Sequence, residues 1–223
     1  MLRALGIDSC GAETTLALAE CDAAGMSVVR AVTLAPRMAA AGIVDALHRL
    51  LADVPASMLD AMVVVRGPGS FTGMRIGLSC AKAFAAATEV PLLAVSRLAV
   101  LAHASRADWA ALDAGRGYIY LRESATGVEQ MCTASEARAL VPRTCWTQVA
   151  VCDPKAAAVF VEQGASMHQE HPAGHLLSTP DAAAAVYFEL PRLLAHDWDD
   201  AESLDALYLW REEQMFQRQT LQP

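Results

Sequence analysis

A glycine-rich loop stands at residues 66–77, which read Arg66-Gly67-Pro68-Gly69-Ser70-Phe71-Thr72-Gly73-Met74-Arg75-Ile76-Gly77. The apolar run 61–65 before it is typical of a strand covered on both faces, and the segment 74–88 after it has helical spacing. Glycines permit a tight turn, and Ser70 or Thr72 can cap the following helix. The pattern therefore predicts a strand, a glycine loop and a helix in succession. The residues expected to build the loop are Gly67, Pro68, Gly69, Ser70, Phe71, Thr72, Gly73 and Arg75.

A loop before a helix N-terminus is also a potential anion site. The glycine spacing G-x-G-x-x-x-G, however, is one residue off the dinucleotide fingerprint, and no G-K-[ST] ending of a Walker loop follows. Spacing alone therefore favours a structural turn over a phosphate site. The candidates for binding a nucleotide cofactor are Asp8, Ser9, Gly69, Ser70 and Thr72.

Over the whole chain, the pattern predicts a group of strands followed by alternating helices and strands, and this order occurs twice. Strands are predicted at residues 2–7, 14–20, 27–34, 61–65, 90–95, 109–113, 118–121, 128–132 and 148–152. Helices are predicted at residues 38–53, 74–88, 96–103, 135–140, 155–163 and 180–190, with Pro191 kinking or ending the last one. This pattern predicts an α/β protein with two mixed-sheet lobes, residues 1–104 and residues 105–223, the second ending in a polar tail.

Composition excludes several classes of protein. With 54% hydrophobic and 19% charged residues among 223, the chain is too apolar for a disordered polypeptide and long enough to bury a core. Its net charge of −8 lacks the basic bias needed to grip a nucleic-acid backbone unaided. No apolar run is long enough to span a membrane, and the six cysteines form no C-x-x-C pair, which is typical of a reducing compartment. We therefore expect a cytoplasmic protein without membrane contact.

As a literal string, the loop G-P-G-S-F-T-G-x-R-I-G closely resembles the signature of the TsaB (YeaZ) family. Further segments resemble that family in the expected order. They are Gly6-Ile7-Asp8-Ser9 (I-D-T-S in the family), Pro91–Leu98 (P-L-L-A-V-S-R-L against P-V-x-G-V-S-T-L), Ala111–Tyr120 (against A-I-D-A-R-x-G-E-V-Y) and Tyr208–Arg211 (against Y-L-R). The resemblance spans nearly the whole chain and is strongest from residue 61 to residue 120.

The resemblance implies a two-lobed actin/Hsp70/sugar-kinase-like (ASKHA) fold. It also implies a non-catalytic subunit of the machinery that makes threonylcarbamoyladenosine in tRNA, since the transfer step belongs to the paralogue TsaD. Such a subunit pairs with TsaD, helps to recruit the ATPase subunit TsaE, or pairs with a second copy of itself. It meets tRNA only within the complex. It carries no catalytic residue, cofactor or metal of its own, because ATP and a metal are expected in the partner subunits.

The resemblance places the Asp8-Ser9 turn where active relatives hold the phosphates and metal of a nucleotide. The next residues, Cys10-Gly11-Ala12-Glu13, add no Lys or Arg to neutralise phosphate. An inherited turn residue is therefore favoured for Asp8. The alternative of another class is a nucleotide-dependent ATPase or kinase that uses Asp8 and the 67–73 loop.

A second alternative is a metallopeptidase-like protein, since His171 and His175 have the i, i+4 spacing of two zinc ligands on a helix. Pro172 and Gly174 between them disfavour a helix, and Ala173 stands where a glutamate would be needed. A solvated loop is therefore favoured for the segment from His168 to His175.

The helices 38–53 and 74–88 carry an apolar stripe and a row of small residues, which allow close helix packing. In the family that the chain resembles, this pair of helices joins a helical bundle with TsaD or with a second copy. This sequence departs from many relatives at Arg37–Ala41, where those relatives carry a polar H-[ST]. The predicted partner interface is Ala39, Ile43, Leu47, Leu50, Leu51, Gly73, Gly77, Ala81 and Ala85.

Overall fold

A computed structural model describes residues 1–161 and 177–209 of the chain. The chain divides into two compact units. Unit 1 is Met1–Val100 with Pro180–Leu207, and unit 2 is Leu101–Thr179 with Tyr208–Pro223. Within the described ranges, no helix has the length and apolar character needed to cross a membrane.

Unit 1 is built on a five-stranded mixed sheet. Its strands are β1 (Leu2–Asp8), β2 (Thr14–Asp22), β3 (Gly25–Leu34), β4 (Ala61–Gly67) and β5 (Leu92–Ser96), in the order β3-β2-β1-β4-β5. The strands β1, β2 and β3 pair antiparallel, whereas β4 runs parallel to both β1 and β5. The central strands β1 and β4 are almost wholly buried, as expected for strands covered on both faces.

Helices cover both faces of this sheet. The helices that lie wholly in unit 1 are α1 (Ala39–Leu50), α2 (Phe71–Thr88), α6 (Ala182–Phe188) and α7 (Leu190–Ala195), and α3 (Arg97–Ser105) begins there. A Cβ added to Gly6 would meet the Ala182 carbonyl of α6, and the neighbouring Ile7 packs near Gly77 of α2. Because consecutive strand residues point to opposite faces, α6 and α2 lie on opposite sides of β1.

The C-terminal segment 180–207 belongs to unit 1, which differs from the predicted division into residues 1–104 and 105–223. Helix α6 packs on the first sheet: the amide of Ala182 donates to Thr15 Oγ1 at 2.9 Å, and the helix lies directly against Gly6. Sequence order suggested a contiguous second lobe, because a late helix that returns to the first sheet leaves no local pattern.

Unit 2 holds a four-stranded sheet and a small apolar core around Ile119, Leu121 and Phe160. Its strands are β6 (Trp109–Gly115), β7 (Tyr118–Glu123), β8 (Glu129–Thr133) and β9 (Val149–Val151), in the order β8-β7-β6-β9. Its helices within the described residues are α4 (Ala134–Leu140) and α5 (Pro154–Val159). Strand β9 runs parallel to β6, and the other pairs are antiparallel, so the second sheet repeats the order and directions of β3-β2-β1-β4. This duplicated mixed sheet is the ASKHA-like fold that the resemblance implied.

Two predicted boundaries differ from the structure for local reasons. Helix α2 begins at Phe71, three residues earlier than predicted, because Ser70 Oγ accepts a hydrogen bond from the Gly73 amide and caps the helix there. Pro191 lies in the first turn of α7, where a proline needs no amide hydrogen. Helix α5 also ends earlier than predicted, at Val159 with Phe160 as its C-cap and not at residue 163.

A buried carboxyl group separates α6 from α7. Glu189 is 3% exposed, and its Oε2 lies 3.5 Å from Arg192 Nη1. Arg192 also donates to the carboxylates of Asp197 and Asp199. Burial raises the pKa of Glu189 above its ordinary value of 4.5, and the Arg192 charge opposes this shift.

We expect a Glu189→Gln variant to gain stability relative to the wild type as the pH rises above 4.5, the ordinary pKa of this carboxyl. Because the folded chain binds the Glu189 proton more tightly than the unfolded chain, this group's contribution to stability is complete below that pH. The contribution is lost as the pH rises through the raised folded-state pKa. Glutamine carries no such proton. Urea unfolding of both proteins from about pH 4 to 7 measures the difference, and a difference that stays constant or shrinks contradicts the expectation.

Candidate functional site

Three parallel strands bring the candidate residues to one edge of the first sheet. β1 is parallel to β4 and β4 to β5, so their carboxyl ends lie side by side. Ligands of open α/β sheets bind at this edge. β1 leads into the turn at Asp8–Gly11, β4 into the glycine loop, and β5 into Arg97.

The turn and the glycine loop are bonded directly to each other. Ser9 Oγ donates to the Gly73 carbonyl at 2.7 Å, and the Ser70 amide donates to the Cys10 carbonyl at 2.8 Å. An added Cβ would lie 2.2 Å from the Cys10 oxygen at Gly69 and 1.9 Å from the Ser9 oxygen at Gly73. The glycines therefore serve a backbone-to-backbone contact within the protein, and the space beside the turn is filled by the protein's own loop.

The Asp8 carboxylate is bound by groups of its own chain. Asp8 is 2% exposed, its Oδ1 accepts the Cys10 amide at 2.8 Å, and its Oδ2 lies 3.6 Å from Arg97 Nε. Burial raises the pKa of Asp8 above its ordinary value of 3.8, while the charge of Arg97 and the amide of Cys10 oppose that shift. Arg97 is itself 8% exposed. Both oxygens of the carboxylate therefore face partners inside the fold.

The five nucleotide candidates do not form a site that fits a metal-bound nucleotide. Asp8 and Ser9 are buried and bonded internally, and Ser70 Oγ caps α2. Thr72 is exposed on the first turn of α2, where it adds no charge. Among residues 1–161 and 177–209, no three His, Cys, Asp or Glu side chains are grouped so that they could hold a metal ion. The described contacts therefore give the alternative of a nucleotide-dependent enzyme no support.

The second sheet repeats the same arrangement at the corresponding strand. Asp113 lies near the end of β6, its Oδ1 accepts the Gly115 amide at 2.9 Å, and its Oδ2 lies 3.1 Å from Lys155 Nζ. The Asp113 amide donates to Asp153 Oδ2 at 3.0 Å. Each unit therefore carries an aspartate at or near the end of its central strand that pairs with a cation of the same unit.

Sequence reasoning missed Arg97 and Lys155 as partners of these aspartates. For Arg97 a signal existed, because the chain has arginine where the resembled V-S-T-L pattern has threonine. Such a departure shows an unusual charge but not its partner. The histidines His168, His171 and His175 lie outside the described residues.

Most residues of the predicted partner interface are buried inside unit 1, so their side chains are covered by the protein itself. Ile43, Leu47 and Leu50 are 4%, 6% and 0% exposed, and Ala81 and Ala85 are 0% and 7% exposed. When a helix packs on a sheet, its apolar stripe is the side that the sheet covers. The helical periodicity in the sequence therefore identified the core-facing side of these helices.

The two glycines of the predicted interface also face inward. Gly73 and Gly77 pack on the carbonyl and the hydroxyl of Ser9. Ala39 and Leu51 are partly exposed at the ends of the stripe.

The apolar side chains that are exposed on α1, on α2 and on the residue before α1 are not those of the predicted interface. Val44 is 57% exposed, Met38 48% and Phe71 52%, and the guanidinium of Arg75 lies 4.5 Å from the centre of the Phe71 ring. We call Met38, Val44 and Phe71 the outer helix residues. They are the large apolar side chains of these elements that are most exposed.

Comparison with known proteins connects this structure to a family. The family model of TsaD, tRNA N6-adenosine threonylcarbamoyltransferase, matches residues 33–143. The tRNA threonylcarbamoyladenosine biosynthesis protein TsaB of Bacillus subtilis is 41% identical over 81 residues, 34% of this chain and 35% of its own length. Its namesake from Escherichia coli is 35% identical over 101 residues, 40% of this chain and 42% of its own length. Over part of its length, the chain is therefore similar to proteins of the TsaB (YeaZ) family and to TsaD.

The solved structure of YeaZ from Pseudomonas aeruginosa has the same fold as this chain. It superposes with a TM-score of 0.68 at 22% identity and covers 94% of this chain and 100% of its own. The sequence alignments span only about a third to two fifths of the curated TsaB (YeaZ) relatives.

Proposed function

We propose that the chain is a non-catalytic subunit in the formation of threonylcarbamoyladenosine in tRNA, and that it works by binding and holding the catalytic paralogue TsaD. The observation that carries this proposal is the closed Asp8 turn. The carboxylate that would bind a metal and phosphates is 2% exposed and faces Arg97 of its own chain. The names of the curated TsaB relatives supply the pathway.

Charge supports a role in which partners contact the tRNA. The net charge of −8 repels a phosphate backbone, so the basic surface for tRNA is expected on other subunits. ATP and a metal are likewise assigned to partners, because the Asp8 turn offers neither an open carboxylate nor free space. Since the substrate is tRNA, we assign the chain to the cytoplasm.

The outer helix residues support a protein partner. Val44, Met38 and Phe71 are large apolar side chains that are each about half exposed, and burying them against a partner would remove apolar surface from water. We propose that these residues contact TsaD, or a second copy of the chain when TsaD is absent. The ATPase TsaE is proposed to join the complex once this pair has formed.

The proposal predicts that tRNA loses threonylcarbamoyladenosine when the chain is depleted from its cell. Nucleoside mass spectrometry of purified tRNA measures the loss, and re-expression of the wild-type chain should restore the modification. With purified proteins, the rate of transfer by TsaD should rise with added chain up to one equivalent and then saturate. The reason is that the chain acts only while it is bound to TsaD, one copy to each.

Two outcomes would contradict the proposal. One is an unchanged threonylcarbamoyladenosine content after depletion. The other is transfer by the chain alone, without TsaD, which would make it an enzyme.

A further inference from the structure

The Arg97 side chain crosses the edge of the first sheet to reach Asp8. Arg97 follows β5 and Asp8 ends β1, with β4 between them, so their backbones are about 10 Å apart by strand spacing. A short side chain at position 97 could not bridge that distance. The Arg97 side chain does so while remaining 9% exposed, which places the guanidinium inside the fold beside the Asp8 turn.

The guanidinium fills the space at the turn. A Cβ added to Gly11 would lie 2.7 Å from Arg97 Nη2, so the group packs against the backbone immediately after Asp8. Arg97 Nε, 3.6 Å from Asp8 Oδ2, makes no hydrogen bond within residues 1–161 and 177–209. The contact is therefore one of charge and packing.

A buried carboxylate is costly unless a cation or several donors face it. Here one amide and one guanidinium meet that need. We infer that Arg97 is a built-in counter-cation, which occupies the place that a metal ion or a bound phosphate group would need beside Asp8 and holds the turn without any ligand. This inference rests on contacts within unit 1 and does not depend on the proposed role in tRNA modification.

The Asp8 turn is hydrogen-bonded to the start of α2, so Arg97 also affects the position of that helix. The Asp8 turn carries Ser9, whose hydroxyl holds the Gly73 carbonyl, and Cys10, whose carbonyl holds the Ser70 amide. By fixing the turn, Arg97 acts as a positioning residue for the first turn of α2, where Phe71 lies. The fold thus presents this helix end in one conformation whether or not nucleotide is present.

A double-mutant cycle tests the pair with four proteins: the wild type, Asp8→Asn, Arg97→Met and the double variant. Asparagine and methionine keep the approximate size of the side chains that they replace. Each single variant leaves one buried charge without its partner, so its melting temperature should fall by roughly 6–20 °C. The double variant removes both charges and should melt higher than the sum of the two losses implies. Strictly additive losses would overturn the inference.

A ligand test on the wild type stays informative even if a single variant fails to fold. Calorimetry and thermal melts with Mg²⁺ alone, and with Mg²⁺ and ATP, should show neither binding heat nor a shift of the melting temperature in the isolated chain. Binding of Mg²⁺ or Mg²⁺-ATP that is lost in Asp8→Asn would overturn the inference, because the turn would then be open to a ligand. Neither measurement involves TsaD or tRNA, so both report on the Asp8 turn alone. Ligand binding at the turn would remove the support for a non-catalytic role, whereas the part in tRNA modification is decided separately by the depletion experiment.

Discussion

A Gly73→Ala variant should lose about 3 kcal/mol of its free energy of unfolding, a large loss for one added methyl group. The new Cβ would lie 1.9 Å from the Ser9 carbonyl oxygen, which is a backbone atom and cannot rotate away. Relief requires the turn and helix α2 to move apart, which breaks the hydrogen bond from Ser9 Oγ to the Gly73 carbonyl. Urea unfolding monitored by circular dichroism measures the loss.

Gly42→Ala is the matched control, because Gly42 is also a helical glycine of unit 1. Its added Cβ would lie 3.3 Å from a methyl group of Leu34, which can shift. Alanine is favoured over glycine inside a helix by about 0.5–1 kcal/mol, so this variant should be neutral or slightly more stable. Equal effects of the two substitutions on the free energy of unfolding would mean that Gly73 does not pack closely against the Ser9 carbonyl.

A Val44→Glu variant should weaken binding to TsaD by about a hundredfold or more, because a charge placed in an apolar contact must be desolvated without a partner. Val44 is 57% exposed on α1, so glutamate is tolerated by the isolated chain. The positions that the helical stripe suggested, Leu47 and Ala81, are 6% and 0% exposed, and a charge there would disrupt the core before it tested any interface. Co-purification and calorimetry with TsaD measure the change in affinity.

Val128→Glu is the control for this second prediction. Val128 is 53% exposed in unit 2, between β7 and β8, and the substitution makes the same chemical change at a similar exposure. It should bind TsaD as the wild type does. Native circular dichroism of both variants, combined with wild-type affinity of Val44→Glu, would remove α1 from the proposed interface.

Local sequence pattern was sufficient to place the strands and most of the helices. Every strand from β1 to β9 overlaps a predicted strand, because alternation and apolar runs reflect the pleat and the burial of each segment. Residues 66–77 likewise predicted the strand, loop and helix in that order. Of the two candidate caps, Ser70 and Thr72, the structure has Ser70 in that role. Residues 66–77 also carried the family resemblance.

The helix surfaces show where pattern was not enough. Periodicity identified the stripe that contains Ile43 and Leu47 but could not say what covers it, and the first sheet does so. Val44 follows the buried Ile43 but lies on the exposed side of α1. Helical periodicity reports the stripe that the sheet covers. It therefore could not single out an exposed apolar residue on the other side of the same helix.

The amino-acid sequence determined the positions of the strands and of most helices, the glycine loop and the resemblance to TsaB, since each depends on residues that are close together in the chain. The tertiary structure alone decided that Asp8 meets Arg97 and that α6 returns to the first sheet. Those pairings follow from the strand order β1-β4-β5 and from which face of the sheet a helix covers. They are set by the balance of burial and charge over the whole fold, and no short segment encodes them.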